Sequence, residues 1–258
     1  MESIPFRYFL QLSFTGKNYH GWQIQQNAPS VQATLESALS VMFNSEIRLV
    51  GCGRTDSGVH ARMFYAHFES GYLTLEQRVK LVYQLNGYLP ADIAVQNVFL
   101  VRPHAHARFD AVSRTYVYQI SRRKDPFLVD LAHYVYGRLD VEVMNTGATE
   151  LMNYRDFTSF SKLHTQVKTN YCKIMDARWT EEGDLLLFTI TADRFLRNMV
   201  RAIVGTMLEL GQHKITLAEF HQIIECRNRS SAGMSVPAHG LYLMDVQYPE
   251  DIFMSWLV

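Results

Sequence analysis

The sequence predicts an α+β fold: two β-α-β-β-α-β halves forming a mostly antiparallel sheet with helices on one face. Three observations carry this. Short aromatic and β-branched runs alternate with amphipathic helical runs. The order of those runs occurs twice along the chain. The 258 residues, 48% apolar and 19% charged, suffice for one large domain or two modest ones with a sizeable core.

Phe6 to Phe14 alternates loosely and is rich in aromatics, hence a strand. A polar loop follows, containing Tyr19-His20-Gly21-Trp22, and Ser30 caps a helix from Val31 to about Phe43 with Leu35, Ala38 and Val41 or Met42 on one face. Glu46 to Val50 reads as a short strand, Gly51 to Ala61 as a glycine-punctuated loop, and Arg62 to Glu69 as the returning strand. Thr74 and Gln77 form a capping-box pair for a helix to about Asn86, and Asp92 to Val101 closes the first set. The second set starts with the strand Ser113 to Ile120. Asp140 caps a helix to about Asn153, and Tyr171 to Thr180 pairs with Asp184 to Ala192 around Glu181-Glu182-Gly183. Arg194 to Leu210 reads as a long helix ended by Gly211, Leu217 to Cys226 as an additional helix, and Leu241 to Gln247 as the last strand. This order is the split βαβ, or RRM-like, plan. The repeat is one of architecture, without residue-level self-similarity. The seam is expected between Val101 and His106, giving an N-terminal half, 1–105, and a C-terminal half, 106–258.

Twenty-five basic and 25 acidic residues leave a formal net charge of zero, which argues against a polybasic binder yet is compatible with a local basic patch. Cys52, Cys172 and Cys226 are odd in number and far apart, so neither a disulfide framework nor a cysteine zinc site is expected. Met1 to Pro5 holds no basic segment ahead of an apolar one, and no window approaches 18 consecutive apolar residues. The expected location is the cytoplasm.

The loop Gly51-Cys52-Gly53-Arg54-Thr55-Asp56-Ser57-Gly58-Val59-His60-Ala61 is the most informative stretch. It follows a strand and begins G-x-G, but Asp56 stands where a dinucleotide fingerprint needs its third glycine, and a carboxylate repels a pyrophosphate. No Gly-Lys-Ser/Thr follows, so a Walker loop is also excluded. What remains is a tight loop presenting one carboxylate beside the Arg54 cation, suited to nucleophilic or base chemistry. The plain alternative is an ordinary turn capped by Asp56.

Arg194, Arg197, Asn198 and Arg201 are spaced i, i+3, i+4 and i+7 within the expected long helix, which would align them on one face ending at Gly205. Such a stripe suits a phosphate backbone or brings an arginine to a carboxylate; the alternative is a solvated basic face. Arg201 is flanked by Val200, Ala202 and Ile203, a setting in which arginines are usually paired. Between Arg102 and Lys124, six basic residues (Arg102, Arg108, Arg114, Arg122, Arg123, Lys124) face one acid, Asp110. Tyr116 and Tyr118 share a strand face in that stretch. Cations interleaved with aromatics suit RNA, although aromatics on a strand are commonly core. No histidine shows metal-ligand spacing, so no metal is expected.

In combination these motifs resemble the tRNA pseudouridine synthase A family, nearly end to end. The strings are Tyr19-His20-Gly21-Trp22-Gln23-x-Gln25, Val31-Gln32 with Leu35-Glu36, Gly53 to Ala61, Leu85-Asn86, and Leu89-Pro90-x-Asp92-Ile93. They continue with His106-Ala107-Arg108-Phe109, Arg114-Thr115-Tyr116-x-Tyr118, Asp156 to Phe160, Met199-Val200-Arg201-x-Ile203-Val204-Gly205, and Gly240-Leu241-Tyr242-Leu243. Ser57 replaces the family's usual alanine, Ala202 stands where asparagine is usual, and the stretch Asn170 to Lys173 is less basic than typical.

The resemblance implies an isomerase that converts uridine to pseudouridine in the anticodon stem-loop of tRNA (tRNA positions 38–40), working as a homodimer. A cleft assembled from two copies need not make either copy basic overall. By the same resemblance, Asp56 is the catalytic carboxylate and Arg201 pairs with and orients it. Tyr116 stacks on the target uracil and assists proton removal, Arg54 displaces the target nucleotide from its stack, and Leu241 lines the uracil pocket. Arg108, Arg114, Arg194 and Arg197 are weaker candidates for RNA contacts.

These roles suit the reaction. The N1–C1′ bond breaks, the uracil rotates, and C5 joins C1′; nothing is oxidised and no water is consumed, so no cofactor is called for. Extruding the base costs roughly a few kcal/mol, and stacking on a ring recovers about 1–3 kcal/mol. The carboxylate attacks C6 or C1′, or removes a sugar proton; the sequence leaves the three open. An RNA-binding module without catalysis would have no use for the Asp56–Arg201–Tyr116 set. A glycosidic hydrolase or phosphate-transfer enzyme would want a second carboxylate or a metal cluster.

Overall fold

The computed structural model describes residues 5–162 and 169–254; Met1 to Ile4, on which part of the N-terminal reading rests, lie outside the described residues. By contacts the chain divides into two units, residues 1–112 with 243–258 and residues 113–242. The division thus falls a little beyond the expected seam, and the last segment joins the first unit.

In the first unit, β1 (Phe6–Phe14), β3 (His60–Ser70) and β4 (Ile93–Val101) run in the order β4-β1-β3, with β2 (Val50–Gly51) added to β3. All three pairings are antiparallel. The alternation of β1 turns Tyr8, Leu10 and Leu12 to one face, opposite Phe68, Ala66 and Phe64 of β3. All six are buried, as are Leu35, Ala38 and Leu39 of α1 (Val31–Phe43) and Leu81 and Leu85 of α2 (Leu75–Tyr88). Phe9 on the opposite face is also fully buried, packed edge-on against Tyr248 at 5.1 Å and Phe253 at 6.2 Å. Hence Tyr8, Phe9 and Leu10 are buried in succession, while Arg7, Gln11 and Ser13 keep the rest of the Phe9 face polar.

Helix starts follow local chemistry. Ser30 Oγ accepts from the Ala33 N–H, and Thr74 with Gln77 closes a capping box. The expected strand Glu46 to Val50 is reduced to Val50–Gly51. The reason is competition: the Ile47 N–H donates to Ser40 Oγ and the Leu49 N–H to Glu36 Oε1, so this segment bonds α1 side chains before reaching the sheet.

In the second unit, β5 (Ser113–Ser121), β8 (Leu185–Ala192) and β7 (Ile174–Glu182) are ordered β5-β8-β7, antiparallel at both pairings. The two-residue β6 (His133–Tyr134) lies parallel to β5. The β7–β8 hairpin turns at Gly183, whose φ of 61° lies in the left-handed region that favours glycine. Buried Leu186, Phe188, Ile190 and Ala192 alternate along β8. α3 (Val141–Glu150) is capped by Asp140 as expected but stops at Glu150, and Leu151–Asn153 form a 3-10 turn. α4 (Met199–Gly211) is buried except at Arg201 and Glu209. Trp179 Nε1 donates to Met207 Sδ at 3.3 Å, tying β7 to α4. α5 (Leu217–Glu225) starts at a second capping box, Thr216 with Glu219. β9 (Leu241–Gln247) has the expected bounds. Among the described residues there are five α-helices, none long and apolar enough to cross a membrane.

Two expectations about α4 are corrected. It begins at Met199, not Arg194, because Asn198 sits at φ 67°, a left-handed conformation that asparagine tolerates and that no helix continues through. Residues 193–198 are instead a bonded loop, with the Arg194 N–H on Asp193 Oδ1 and the Lys162 N–H on the Arg197 carbonyl. Arg194, Arg197 and Arg201 therefore do not form a stripe on one helical face. Nor does Gly211 lie beyond the helix: it is the last helical residue, and the left-handed position falls on His213 at φ 55°. Gly211 serves packing, since a Cβ there would stand 2.4 Å from Met144 Sδ.

Gly205 is the most constrained glycine of α4. A Cβ on it would fall 1.8 Å from the Met234 carbonyl oxygen, so the 233–236 segment lies directly on the helix backbone. Gly205→Ala is expected to cost at least about 2 kcal/mol of stability, because backbone and not a side-chain tip must move. Gly53→Ala, with nothing within 4 Å of the added carbon, is the control. Urea unfolding of the two variants checks the difference.

Candidate active site

Asp56 stands on the loop between β2 and β3, and that loop is fixed from several directions. The Asp56 carbonyl accepts the Val59 N–H at 3.2 Å, closing a turn whose third residue, Gly58, has φ 81°. Positive φ at that position is the type II signature and explains the glycine. The Tyr19 carbonyl accepts from the Gly58 N–H and from Ser57 Oγ, both at 3.3 Å. The Trp22 N–H donates to Thr55 Oγ1 at 3.0 Å. Gly21, at φ 88°, lets the two loops touch: a Cβ there would lie 2.2 Å from the Thr55 carbonyl oxygen.

A further ring of partners holds the Tyr19–Trp22 segment. Tyr19 Oη donates to Asp92 Oδ1 at 2.7 Å, and Asn18 Nδ2 donates to Asp92 Oδ2 at 2.8 Å. Burial and the adjacent carboxylate push the Tyr19 phenol well above its usual range, so it stays a donor. Gln25 Nε2 caps the His20 carbonyl, and the Gln32 N–H reaches the Trp22 carbonyl. Trp22 stacks on Phe64 at 4.2 Å, against Gly51, where a Cβ would strike the indole at 2.5 Å. His60 is buried, and its Nδ1 accepts the Gly16 N–H at 3.0 Å. Within this frame Asp56 is half-buried and Arg54 is exposed. A carboxylate presented by a backbone that cannot drift is what nucleophilic or base chemistry requires.

In the second unit, Tyr116 lies on β5 opposite Ile190 and meets Phe195 edge-to-face at 5.1 Å. Tyr118, two residues on, is fully buried and donates to the Pro237 carbonyl at 2.9 Å. Burial pushes its phenol far above the usual range, and the charge of Arg201 pulls the other way. Arg201 Nε donates to the Val236 carbonyl at 2.8 Å, while the Val236 N–H donates to the Arg201 carbonyl at 3.2 Å. That double clamp fixes both the helix turn and the guanidinium. Asn198 Nδ2 to Ser235 Oγ, and Arg229 to Ser235 Oγ and the Ala232 and Gly233 carbonyls, hold the same segment. Leu241 is buried at the start of β9, after Gly240, where a Cβ would lie 2.8 Å from the Tyr118 ring.

Arg114 Nη1 donates to the Asp193 carbonyl and the Arg194 N–H to the Asp193 carboxylate, so these two candidates meet at one residue. Arg197 is exposed on the same loop. Arg108 is exposed beside Phe109 in the first unit. Other cations of the basic stretch serve the fold: Arg102 pairs with Asp251, Arg123 with Asp184, and Arg122 holds the Val135 and Gly137 carbonyls. Among the described residues no three His, Cys, Asp or Glu side chains are grouped to hold a metal ion. Tyr19, Asp92 and Phe195 make contacts that sequence spacing does not show: the Tyr-x-Gly-Trp and Pro-x-Asp strings are visible, but the Tyr19–Asp92 bond is long-range, and Phe195 meets Tyr116 across 79 positions.

Residues 148–249 match the family model described as tRNA pseudouridine synthase. The chain is similar to the tRNA pseudouridine synthase A of Parabacteroides distasonis, 53% identical over 96% of this chain and 98% of that one. It is similar to the tRNA pseudouridine synthase A of Bacteroides thetaiotaomicron, 52% identical over 96% and 92%. A more distant relative so named, from Clostridium acetobutylicum, is 39% identical over 93% and 98%.

Tyr19→Phe removes the hydroxyl that ties the loop pair to Asp92. A stability loss of about 1–2 kcal/mol is expected, with faster amide exchange at Gly58 and Val59 than at β1. Hydrogen-exchange mass spectrometry resolving the 51–61 peptide checks both.

Proposed function

This chain belongs to the tRNA pseudouridine synthase A family, and on that premise we propose that Asp56 is the carboxylate with which it isomerises uridine to pseudouridine in the anticodon stem-loop of tRNA. The observation that carries the reading is the locking of the Asp56 loop by Gly21, Tyr19 and Trp22. Nothing about an ordinary surface turn calls for a main chain held through two layers of partners.

In this reading Arg201 orients Asp56. The Val236 clamp supports that role, because a guanidinium fixed at Nε presents its Nη edge in a set direction. Tyr116 stacks on the extruded uracil, with its ring angle set by Phe195. Leu241 supplies apolar wall to retain the detached base, and exposed Arg54 displaces the target nucleotide. Arg114, Arg194, Arg197 and Arg108 contact phosphates. Each half is RRM-like: the antiparallel orders β4-β1-β3 with β2, and β5-β8-β7, agree with that plan. The N-terminal half carries the Asp loop, and the C-terminal half carries the stacking tyrosine and the Arg201 helix. The enzyme works in the cytoplasm as a homodimer.

The test is pseudouridine mapping on tRNA incubated with the purified protein. Wild type is expected to modify stem-loop uridines. Asp56→Asn is expected to bind tRNA with little change but to lose turnover by on the order of 10³-fold or more. Substantial turnover by that variant would remove Asp56 from the chemistry.

A further inference from the structure

The loop from Ala105 to Asp110, of which only Arg108 was given a role above, is complete in its main-chain donor bonding. Every main-chain donor in it has a partner. The Ala105 N–H meets the Arg102 carbonyl, the His106 N–H meets Asp110 Oδ2, and the Ala107 N–H meets His67 Nδ1. The Arg108 and Phe109 N–H groups both meet His106 Nδ1, and the Asp110 N–H meets the His106 carbonyl. The Ala107 carbonyl accepts from Tyr248 Oη at 2.6 Å, so this buried residue is pinned on both sides.

The two side chains this loop turns outward are Arg108 and Phe109. Phe109 is 73% exposed, so a loop this well held presents the phenyl ring to solvent in a fixed place. It is backed by a ladder of rings reaching into the core: His106 at 4.3 Å, then His67 at 4.7 Å from His106, then Phe9 at 6.2 Å from His67. The Arg108 guanidinium lies 5.6 Å from the Phe109 centroid. The one carboxylate of the loop, Asp110, is turned onto the loop's own main chain. A flat apolar ring beside a cation, on a backbone ordered in advance, is complementary to an unstacked base and its phosphate.

We propose that Phe109 is a stacking platform for an unpaired nucleobase of the RNA substrate, with Arg108 on the adjoining phosphate and with His67 and His106 as the residues that position it. This rests on the tRNA reading above and adds a contact separate from the Asp56 loop. Both imidazoles act as acceptors at Nδ1, so they must be neutral there. Burial, then the neighbouring His106 and Arg7, hold His67 down at about 4 against Glu69 and Asp110; burial lowers His106 too, with Arg7 and Arg108 adding to it and Asp110 opposing.

The test is tRNA affinity by fluorescence anisotropy for wild type, Phe109→Ala and Phe109→Trp. Because the ring is exposed, all three are expected to melt together. Phe109→Ala is expected to weaken binding roughly 5- to 150-fold, the range for one lost base stack. Phe109→Trp is expected to bind like wild type, and its added indole emission is expected to be quenched by tRNA. Wild-type affinity in Phe109→Ala, or unquenched emission in Phe109→Trp, overturns the proposal. So does an altered sedimentation mass in Phe109→Ala with affinity intact, which would make the ring a protein contact. If wild type binds tRNA and shows these effects but forms no pseudouridine, the catalytic reading fails and this one stands.

Discussion

A glycine that lets one loop touch another is the constraint on which the Asp56 site depends. At Gly21 the backbone is left-handed and the Thr55 carbonyl occupies the space any side chain would need. Two requirements, positive φ and close approach, coincide at one residue, and no other amino acid meets both. With that contact made, the Trp22 N–H meets the Thr55 hydroxyl and the Tyr19 carbonyl meets the Ser57 hydroxyl, one on either side of Asp56, and Asp92 anchors Tyr19 in turn. The entropy of ordering the 51–61 loop is thereby met on folding.

The second unit solves its own version of the problem in the same manner. Gly205 allows the 233–236 segment to lie on the α4 backbone, and Val236 then holds Arg201 by side chain and main chain together. Both glycines sit in short strings that are easily read as mere turn or helix content. Their physical role is steric permission for a neighbour distant in sequence.

Much of the fold was legible from local chemistry. Ser30, Thr74 and Asp140 cap helices where side-chain oxygen can meet an early N–H, and β1, β5 and β9 are strands as expected. The misreadings arose where distant partners won. Asn198 breaks the helical run that Arg194 to Leu210 suggested, and the side chains of α1 draw Ile47 and Leu49 away from a strand. The arginine stripe failed with the helix that was to display it. Asp56, Arg201 and Tyr116 stand out by residue chemistry, whereas the specific roles expected of them, and Leu241 itself, come from the family strings. The supporting contacts of Tyr19 with Asp92 and of Tyr116 with Phe195 could not be read from spacing, because each joins residues far apart in the chain.

The central claim is that the position of the Asp56 carboxylate, and not merely its charge, is what the locked loop provides. Asp56→Glu keeps the charge and moves it by one methylene. The most direct measurement is the single-turnover rate of pseudouridine formation by that variant at saturating tRNA. A fall on the order of 10²-fold or more, with tRNA affinity retained, is the predicted result. A rate close to wild type would contradict the account, since a carboxylate that tolerates such displacement needs no locked loop.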